Sequence, residues 1–239
     1  MNYAKFAGFY DEIMGDRTPD LDQVRGAISR HLPSASTLLE LGCGTGALLA
    51  GLESEYKVTG LDQSPEMLAK AAQTVPTATL ISADMTKFRL DARFDVIICM
   101  FDTLNHLPEF SRWLDLFDRA HEHLADGGLF VFDVNTIGRL QGLSQSIPYV
   151  QDVGEHTLIM NITPAYGNVV LWETKIFERL DEDDLFRLHH EKILELGVPL
   201  DTIREALALH FEVVEEIDLD GGQVSDQSER IYFTCRHRG

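Results

Sequence analysis

Basic residues are scarce in this sequence. Against 39 Asp and Glu stand 20 Lys and Arg in 239 residues, a formal charge of −19. That balance argues against a nucleic-acid partner, because phosphate backbones are held mainly by Lys and Arg. A small or cationic ligand suits it better. Cysteine is scarce too: Cys43, Cys99 and Cys235 are odd in number and scattered. They form neither a disulfide framework nor a zinc knuckle, so they read as reduced thiols at packed positions, and no metal site is expected. Apolar runs of the roughly 20 residues that span a bilayer are missing. The stretch from Met1 to Asp20 is acidic and polar rather than a basic flank with an apolar core. No membrane partner and a cytoplasmic location are therefore expected. Repeats and low-complexity segments are also lacking.

What is present is material for a sizeable core, 44% of the residues being hydrophobic. From Thr37 to Asn135, short apolar runs alternate with helical periodicity, the pattern of a parallel sheet covered by helices. Strands are expected at Thr37–Leu41, Lys57–Asp62, Ala78–Asp84, Phe94–Phe101 and Leu129–Val134. Ser64-Pro65-Glu66 is a helix start: a capping hydroxyl, a proline where no amide is needed, and an acid at the positive end. Apolar residues recur at three- and four-residue steps from Glu109 to Leu124, which predicts an amphipathic helix. The rhythm then changes to strand-like stretches joined by short turns, Ile147–Val153, His156–Tyr166, Asn168–Leu180 and Leu185–Leu196, the pattern of an antiparallel meander. A helix from Leu200 and strands at Phe211–Leu219 and Arg230–Cys235 close the chain.

The fold class expected is α/β: a doubly wound, mostly parallel sheet with an inserted antiparallel β meander. Residues 1–36 form an N-terminal helical lid segment. Residues 37–135 and 200–239 form the core domain, and residues 136–199 the insert, covering the sheet's carboxyl edge, where open α/β sheets bind ligands.

The strongest motif is Glu40-Leu41-Gly42-Cys43-Gly44-Thr45-Gly46, an acid and then glycines at alternate positions directly after a buried strand. Bare backbone at Gly42 and Gly44 lets a ligand lie against the turn. The spacing departs from the G-x-G-x-x-G that frames a pyrophosphate, which disfavours a dinucleotide. Asp62 ends the second strand, placed to accept both hydroxyls of a ribose. Asp84 ends the third, where a carboxylate accepts from an exocyclic amine while Met85 packs on a ring face. Capping of the following helix explains either acid alone equally well.

With Glu40–Gly46, Asp62, Asp84-Met85 and the run Phe94-Asp95-Val96-Ile97-Ile98-Cys99, the chain resembles the class I S-adenosylmethionine-dependent methyltransferases over roughly Thr37 to Asn135. The resemblance is nearest to the glycine-type and aminosugar N-methyltransferases. It implies a seven-stranded sheet with its last strand antiparallel and S-adenosyl-L-methionine across the first two strand ends. Carried over, the turn of Gly42, Cys43, Gly44 and Gly46 faces the methionine moiety, Asp62 the ribose and Asp84 with Met85 the adenine, and Tyr10, Glu40, Gln63 and Met100 are further cofactor-binding residues. A sulfonium cation also suits a carboxylate-rich pocket.

For the acceptor, the resemblance places His106, in Phe101-Asp102-Thr103-Leu104-Asn105-His106, near the reaction centre. An imidazole with an ordinary pKa near 6.5 can take a proton from an ammonium or hydroxyl; packing of the next helix is the other reading. Tyr10 resembles the tyrosine that those subfamilies bring over the methyl, and is equally an aromatic anchor. Asp102, His190 and Arg230 are the candidate substrate residues. His190 has its neighbour His189 on the opposite strand face, and both also read as surface histidines. Arg230 also reads as a salt-bridge partner. The function expected is methyl transfer to a nitrogen or oxygen of a small-molecule acceptor, by a monomer or homodimer. A non-catalytic S-adenosylmethionine-binding regulator and, less well supported, a nucleotide-dependent oxidoreductase are the rivals.

Overall fold

The structure, a computed structural model, describes residues 12, 13, 15–180 and 185–238. Eleven strands are found among them, in two sheets. The larger has seven strands: β1 (Thr37–Leu41), β2 (Lys57–Asp62), β3 (Thr79–Ser82), β4 (Phe94–Cys99), β5 (Leu124–Asn135), β10 (Phe211–Asp218) and β11 (Arg230–His237). Their order is β10-β11-β5-β4-β1-β2-β3. Pairs β1–β2, β2–β3, β1–β4 and β4–β5 are parallel, and β11 runs antiparallel to both its neighbours. The chain moves outward from β1 through β2 to β3, then crosses back to β4 on the other side. The crevice between β1 and β4 is therefore a topological switch point, where such sheets bind ligands.

Strand alternation sends successive side chains to opposite faces, each covered by helices. One face carries Leu39, Leu41, Ile97, Cys99, Phe130, Phe132 and Phe233, packed against Trp113 and Phe117 of α4 (Phe110–His123) and Ile203 of α6 (Leu200–Leu207). The other carries Leu38, Val96, Ile98, Leu129 and Val131. It packs against Val24, Ala27 and Ile28 of α1 (Thr18–His31) and Leu48 and Leu49 of α2 (Ala47–Leu52). Trp113 is fully buried and Phe117 nearly so, each contributing about 2–3 kcal/mol by burial alone. Thr18–His31, 14 of the residues expected within the 1–36 lid segment, thus form a helix of the core layer, and residues 1–11 and 14 lie outside the described residues.

The smaller sheet is the meander β6 (Tyr149–Val153), β7 (His156–Tyr166), β8 (Val169–Arg179) and β9 (Phe186–Leu196), antiparallel throughout, with β9 at one edge. A short helix α5 (Ile137–Ser144), capped by Thr136 accepting from the Arg139 amide, leads into it. No sequence pattern announces α5, whose two glycines and roughly two turns give no lasting periodicity. No helix among the described residues is long and apolar enough to cross a membrane.

Several strand ends differ from expectation, β5 starting at Leu124 rather than Leu129, and two of them bear on the cavity. β4 stops at Cys99, because Phe101 and Asp102 adopt φ of 61° and 47°, a left-handed pair that turns the chain out of the sheet. β3 stops at Ser82, leaving Asp84 in the loop beyond it.

Candidate active site

At the carboxyl ends of β1, β2 and β4 lies a cavity of about 510 Å³. Gly42, Gly44, Asp62, Gln63, Asp84, Met85 and His106 line it, closed from above by His190 and its neighbours on β9. Eight residues singled out from sequence therefore share one wall. Glu40, Cys43, Gly46, Met100, Asp102 and Arg230 are not part of the lining, and Tyr10 lies outside the described residues.

The glycine turn is built by close approach. A Cβ on Gly42, where φ is +74°, would come within 2.6 Å of the Thr103 methyl, so a side chain here disrupts the turn as well as the cavity floor. Asp62 fixes the turn from the next strand, accepting from the Gly44 amide at 2.9 Å and the Ser64 amide at 2.8 Å. Ser64 in turn caps α3 (Pro65–Thr74) by accepting from the Met67 amide, as the Ser-Pro-Glu start requires. A carboxylate accepts up to about four hydrogen bonds, so Asp62 keeps capacity for ribose hydroxyls. Beneath the turn, Glu40 is 3% exposed, and its Oε2 has no hydrogen-bond partner among the described residues. Burial, reinforced by the charge of Asp62, holds its carboxyl well above the usual range. An orphaned buried acceptor beside a bare-backbone turn is the environment a cationic amino-acid tail fits.

Asp84 does more than border the cavity. Its Oδ1 accepts from the Thr86 amide at 2.9 Å and the Thr86 hydroxyl at 2.8 Å, and Arg112 reaches Oδ2 at 2.9 Å. Although burial pushes the carboxyl up, these donors outweigh it and hold it below the usual range. Asp84 therefore orders its loop and anchors Arg112, another lining residue that the sequence reading did not reach.

Two of the expected contacts fall in the core instead. Met100 is 1% exposed and packs on the α1/α2 face. Cys43 is buried against the same helices, its thiol pushed up by burial. Both lie just past a strand end and turn into that packed layer rather than into the cavity. Arg230 does not offer a free guanidinium to an acceptor. It lies 3.1 Å from Asp102 Oδ1, 3.3 Å from Asp133 Oδ2 and 4.0 Å from Asp20. Burial would depress it, but Asp133 and Asp102 keep it firmly protonated. Its salt-bridge reading describes it.

Behind His106 this becomes a buried ionic cluster. Asp102 Oδ2 faces His106 Nε2 at 3.7 Å, and the Asp102 amide donates to Asp133 Oδ2 at 3.0 Å. Burial lowers His106 below its ordinary value while Asp102 pulls it back up. Burial raises Asp133 to about 7 against the pull of Arg230. Tyr232 donates to Asp20 at 3.0 Å. The cluster gathers residues of α1, β5, β11 and the loop after β4. The sequence held a signal for Asp133, an acid within the apolar run Phe130-Val131-Phe132-Asp133-Val134. It held none for the left-handed Phe101-Asp102 pair, whose residue types give no warning of φ above zero.

Such an arrangement can hold a nucleoside across the β1/β2 tips and present a buried imidazole to whatever lies beyond it. Residues 38–128 match the family described as a methyltransferase domain. A putative methyltransferase of Geobacillus sp. (strain WCH70) is 30% identical over 247 residues, covering 99% of this chain and all of the relative. A dTDP-3-amino-3,6-dideoxy-alpha-D-glucopyranose N,N-dimethyltransferase of Streptomyces fradiae is 36% identical over 107 residues, 44% of this chain and 42% of that one. Among solved structures, an S-adenosylmethionine-dependent methyltransferase from Clostridium acetobutylicum superposes with a TM-score of 0.87 at 22% identity, over 99% of each chain. A sugar N-methyltransferase from Streptoalloteichus sp. gives 0.82 at 23% identity, over 98% of this chain and 93% of that one.

Proposed function

The chain belongs to the class I S-adenosylmethionine-dependent methyltransferases, and from that premise we propose that it methylates a nitrogen or oxygen of a small-molecule acceptor, with His106 receiving the acceptor's proton. The observation that carries this reading is the single cavity joining the Gly42–Gly44 turn and Asp62 to His106.

S-Adenosyl-L-methionine, when bound, supplies an electrophilic methyl on a sulfonium. The chain's residues do the rest. Gly42 and Gly44 offer bare backbone to the methionine moiety, with Glu40 beneath to favour its ammonium. Asp62 and Gln63 meet the ribose, and Met85 the adenine. His106, kept largely neutral by burial, accepts a proton at a ring nitrogen and so frees the acceptor's lone pair for in-line attack. Asp102, 3.7 Å away, stabilises the imidazolium that forms. Gains from positioning and water exclusion dominate, since no covalent intermediate is needed. Tyr10 belongs to the same edge by resemblance, and the insert, residues 136–199, sets acceptor specificity through β9.

The aminosugar relative favours an amine acceptor over a hydroxyl. The test is two-part. Calorimetry with S-adenosylhomocysteine should give binding that Asp62→Ala weakens at least about tenfold, the loss of roughly one charge-assisted contact. Transfer of labelled methyl to a panel of free amines, aminosugars, nucleotide-linked aminosugars and phenols should then label a nitrogen. Binding without transfer to any member would instead support a regulator that keeps the cofactor pocket.

A further inference from the structure

Glu195 is an acid the reaction above does not use. It sits on β9, the insert's edge strand, 2% exposed. Its Oε2 accepts from Asn135 Nδ2 at 3.3 Å. A carboxylate oxygen of Glu195, one of Asp102 and a ring nitrogen of His106 all lie within 4.8 Å of one another. The insert thus reaches into the base of the active site with one buried carboxyl.

The surrounding charges decide what state that carboxyl is in. The loop after β4 brings Asp102 and His106, and β5 brings Asp133. From β11 come Arg230 and Tyr232, from α1 Asp20, and from β9 itself Glu191. Arg230 is ion-paired with Asp102, Asp133 and Asp20, and the charge of Arg17 also acts on Asp20. Glu195 has no ion pair with a described Lys or Arg. A buried carboxyl this close to a second, largely covered one resists ionising beside it, because desolvation and mutual repulsion act in the same direction. Burial first, then the charge of Asp102, hold Glu195 well above the usual carboxylate range, with the Asn135 amide and the charge of Arg230 only partly opposing. A proton between two acceptors satisfies both, whereas an ionised pair has no donor between them.

We propose that Glu195 and Asp102 share one proton, carried on Glu195 and hydrogen-bonded to Asp102, so that Asp102 remains a carboxylate between His106 and Arg230. Glu195 is then a positioning residue: acting through Asp102, it lets the insert set the basicity of His106. Its importance for catalysis rests on the reading of His106 as the base, but its protonation state does not.

The test uses the full chain with and without S-adenosylhomocysteine. Infrared difference spectroscopy with ¹³C-labelled glutamate should show, at pH 7, a protonated-carboxyl stretch in the wild type that Glu195→Gln removes. In Asp102→Asn the same stretch should titrate away at least about one pH unit lower, because the repelling charge is gone. By NMR, the His106 imidazole midpoint in Glu195→Gln should stay within about 0.3 pH unit of wild type, since the substitution leaves the charge unchanged. An unchanged stretch in Glu195→Gln overturns the proposal. So does a Glu195 midpoint that ignores Asp102→Asn, or a fall of about one pH unit in the His106 midpoint, the signature of a lost negative charge. Mn²⁺ binding seen by electron paramagnetic resonance and abolished by Asp102→Asn also overturns it, by putting a cation where the proton belongs. Should Glu195→Gln not fold, the titration is run in Glu40→Gln, which removes the other buried glutamate held above the usual range: a glutamate stretch persisting there above pH 6 supports the pair, and its absence overturns it. Failure of S-adenosylhomocysteine to bind is a separate result that strikes only the methyltransferase mechanism.

Discussion

A buried carboxyl without a donor resists ionisation, and Glu40 is held in that condition by its own fold. Its folded pKa lies above its unfolded value of roughly 4.3. The stability it contributes is therefore complete below about pH 4 and is lost as the pH climbs through the folded value. Glu40→Gln should stabilise the cofactor-free protein by about 1–3 kcal/mol at pH 8 and leave it unchanged near pH 4. Urea unfolding at both pH values checks this, and an equal difference at both would contradict it. The same substitution should weaken binding of S-adenosylhomocysteine, because Gln, unlike Glu, has no proton to release in answer to the ligand's ammonium. For His106 the sign is opposite. Burial moves its pKa below 6.5, and the neutral ring is the useful form, so turnover should rise with pH and level off before neutrality. His106→Ala should lower kcat by about 10²–10⁴-fold while the affinity for S-adenosylhomocysteine stays within about twofold. Comparable losses in both would make His106 a packing residue.

Elements show how one residue joins two sheets. Asn105, fully buried, donates through Nδ2 to the Asn135 and Leu196 carbonyls, each at 2.9 Å, and its Oδ1 accepts from the Asn135 amide at 2.9 Å. The Leu196 amide returns a bond to the Asn105 carbonyl at 2.8 Å. The ends of β5 and β9 are thereby tied to the loop that carries His106. Asn105→Ala would orphan two carbonyls and an amide in the interior, so it should cost about 2–4 kcal/mol, read as a lower denaturation midpoint; a loss below about 0.5 kcal/mol would show that water replaces the amide. Nothing in the order of amino acids announces this role, because Asn105 acquires it from partners 30 and 91 residues away. The sheet, by contrast, is legible locally. Thr37–Leu41 and Lys57–Asp62 appear with the bounds their apolar runs predict, and α3 starts where Ser64-Pro65 says it must. Site residues follow the same division. Gly42 and Asp62 are singled out by strand-end position and His106 by resemblance, and all three line the cavity, whereas Glu195 and Arg112 are placed by tertiary packing that no short-range pattern encodes. Met100, just past the end of β4, turns into the core, and Arg230 is engaged by acids of three other segments.

At the scale of the whole molecule the excess of acids over bases, 39 against 20, surrounds a site that must admit a cation. A field of one sign raises the local concentration of opposite charge and speeds its arrival, and salt screens that field over a Debye length of about 10 Å at 0.1 M. S-Adenosylmethionine carries one more positive charge than S-adenosylhomocysteine and otherwise fills nearly the same space. Steering should therefore act on the first and leave the second almost untouched. Between about 0.02 and 0.5 M salt, the association rate of S-adenosylmethionine should fall by roughly three- to tenfold, with that of S-adenosylhomocysteine changing less than about twofold. Stopped-flow mixing that follows intrinsic fluorescence would measure both. Because dissociation is governed by short, partly buried contacts such as those at Asp62, off-rates should respond far less. Equal salt dependence for the two ligands would place the acidic surface outside the path to the cavity and leave the net charge to solubility alone.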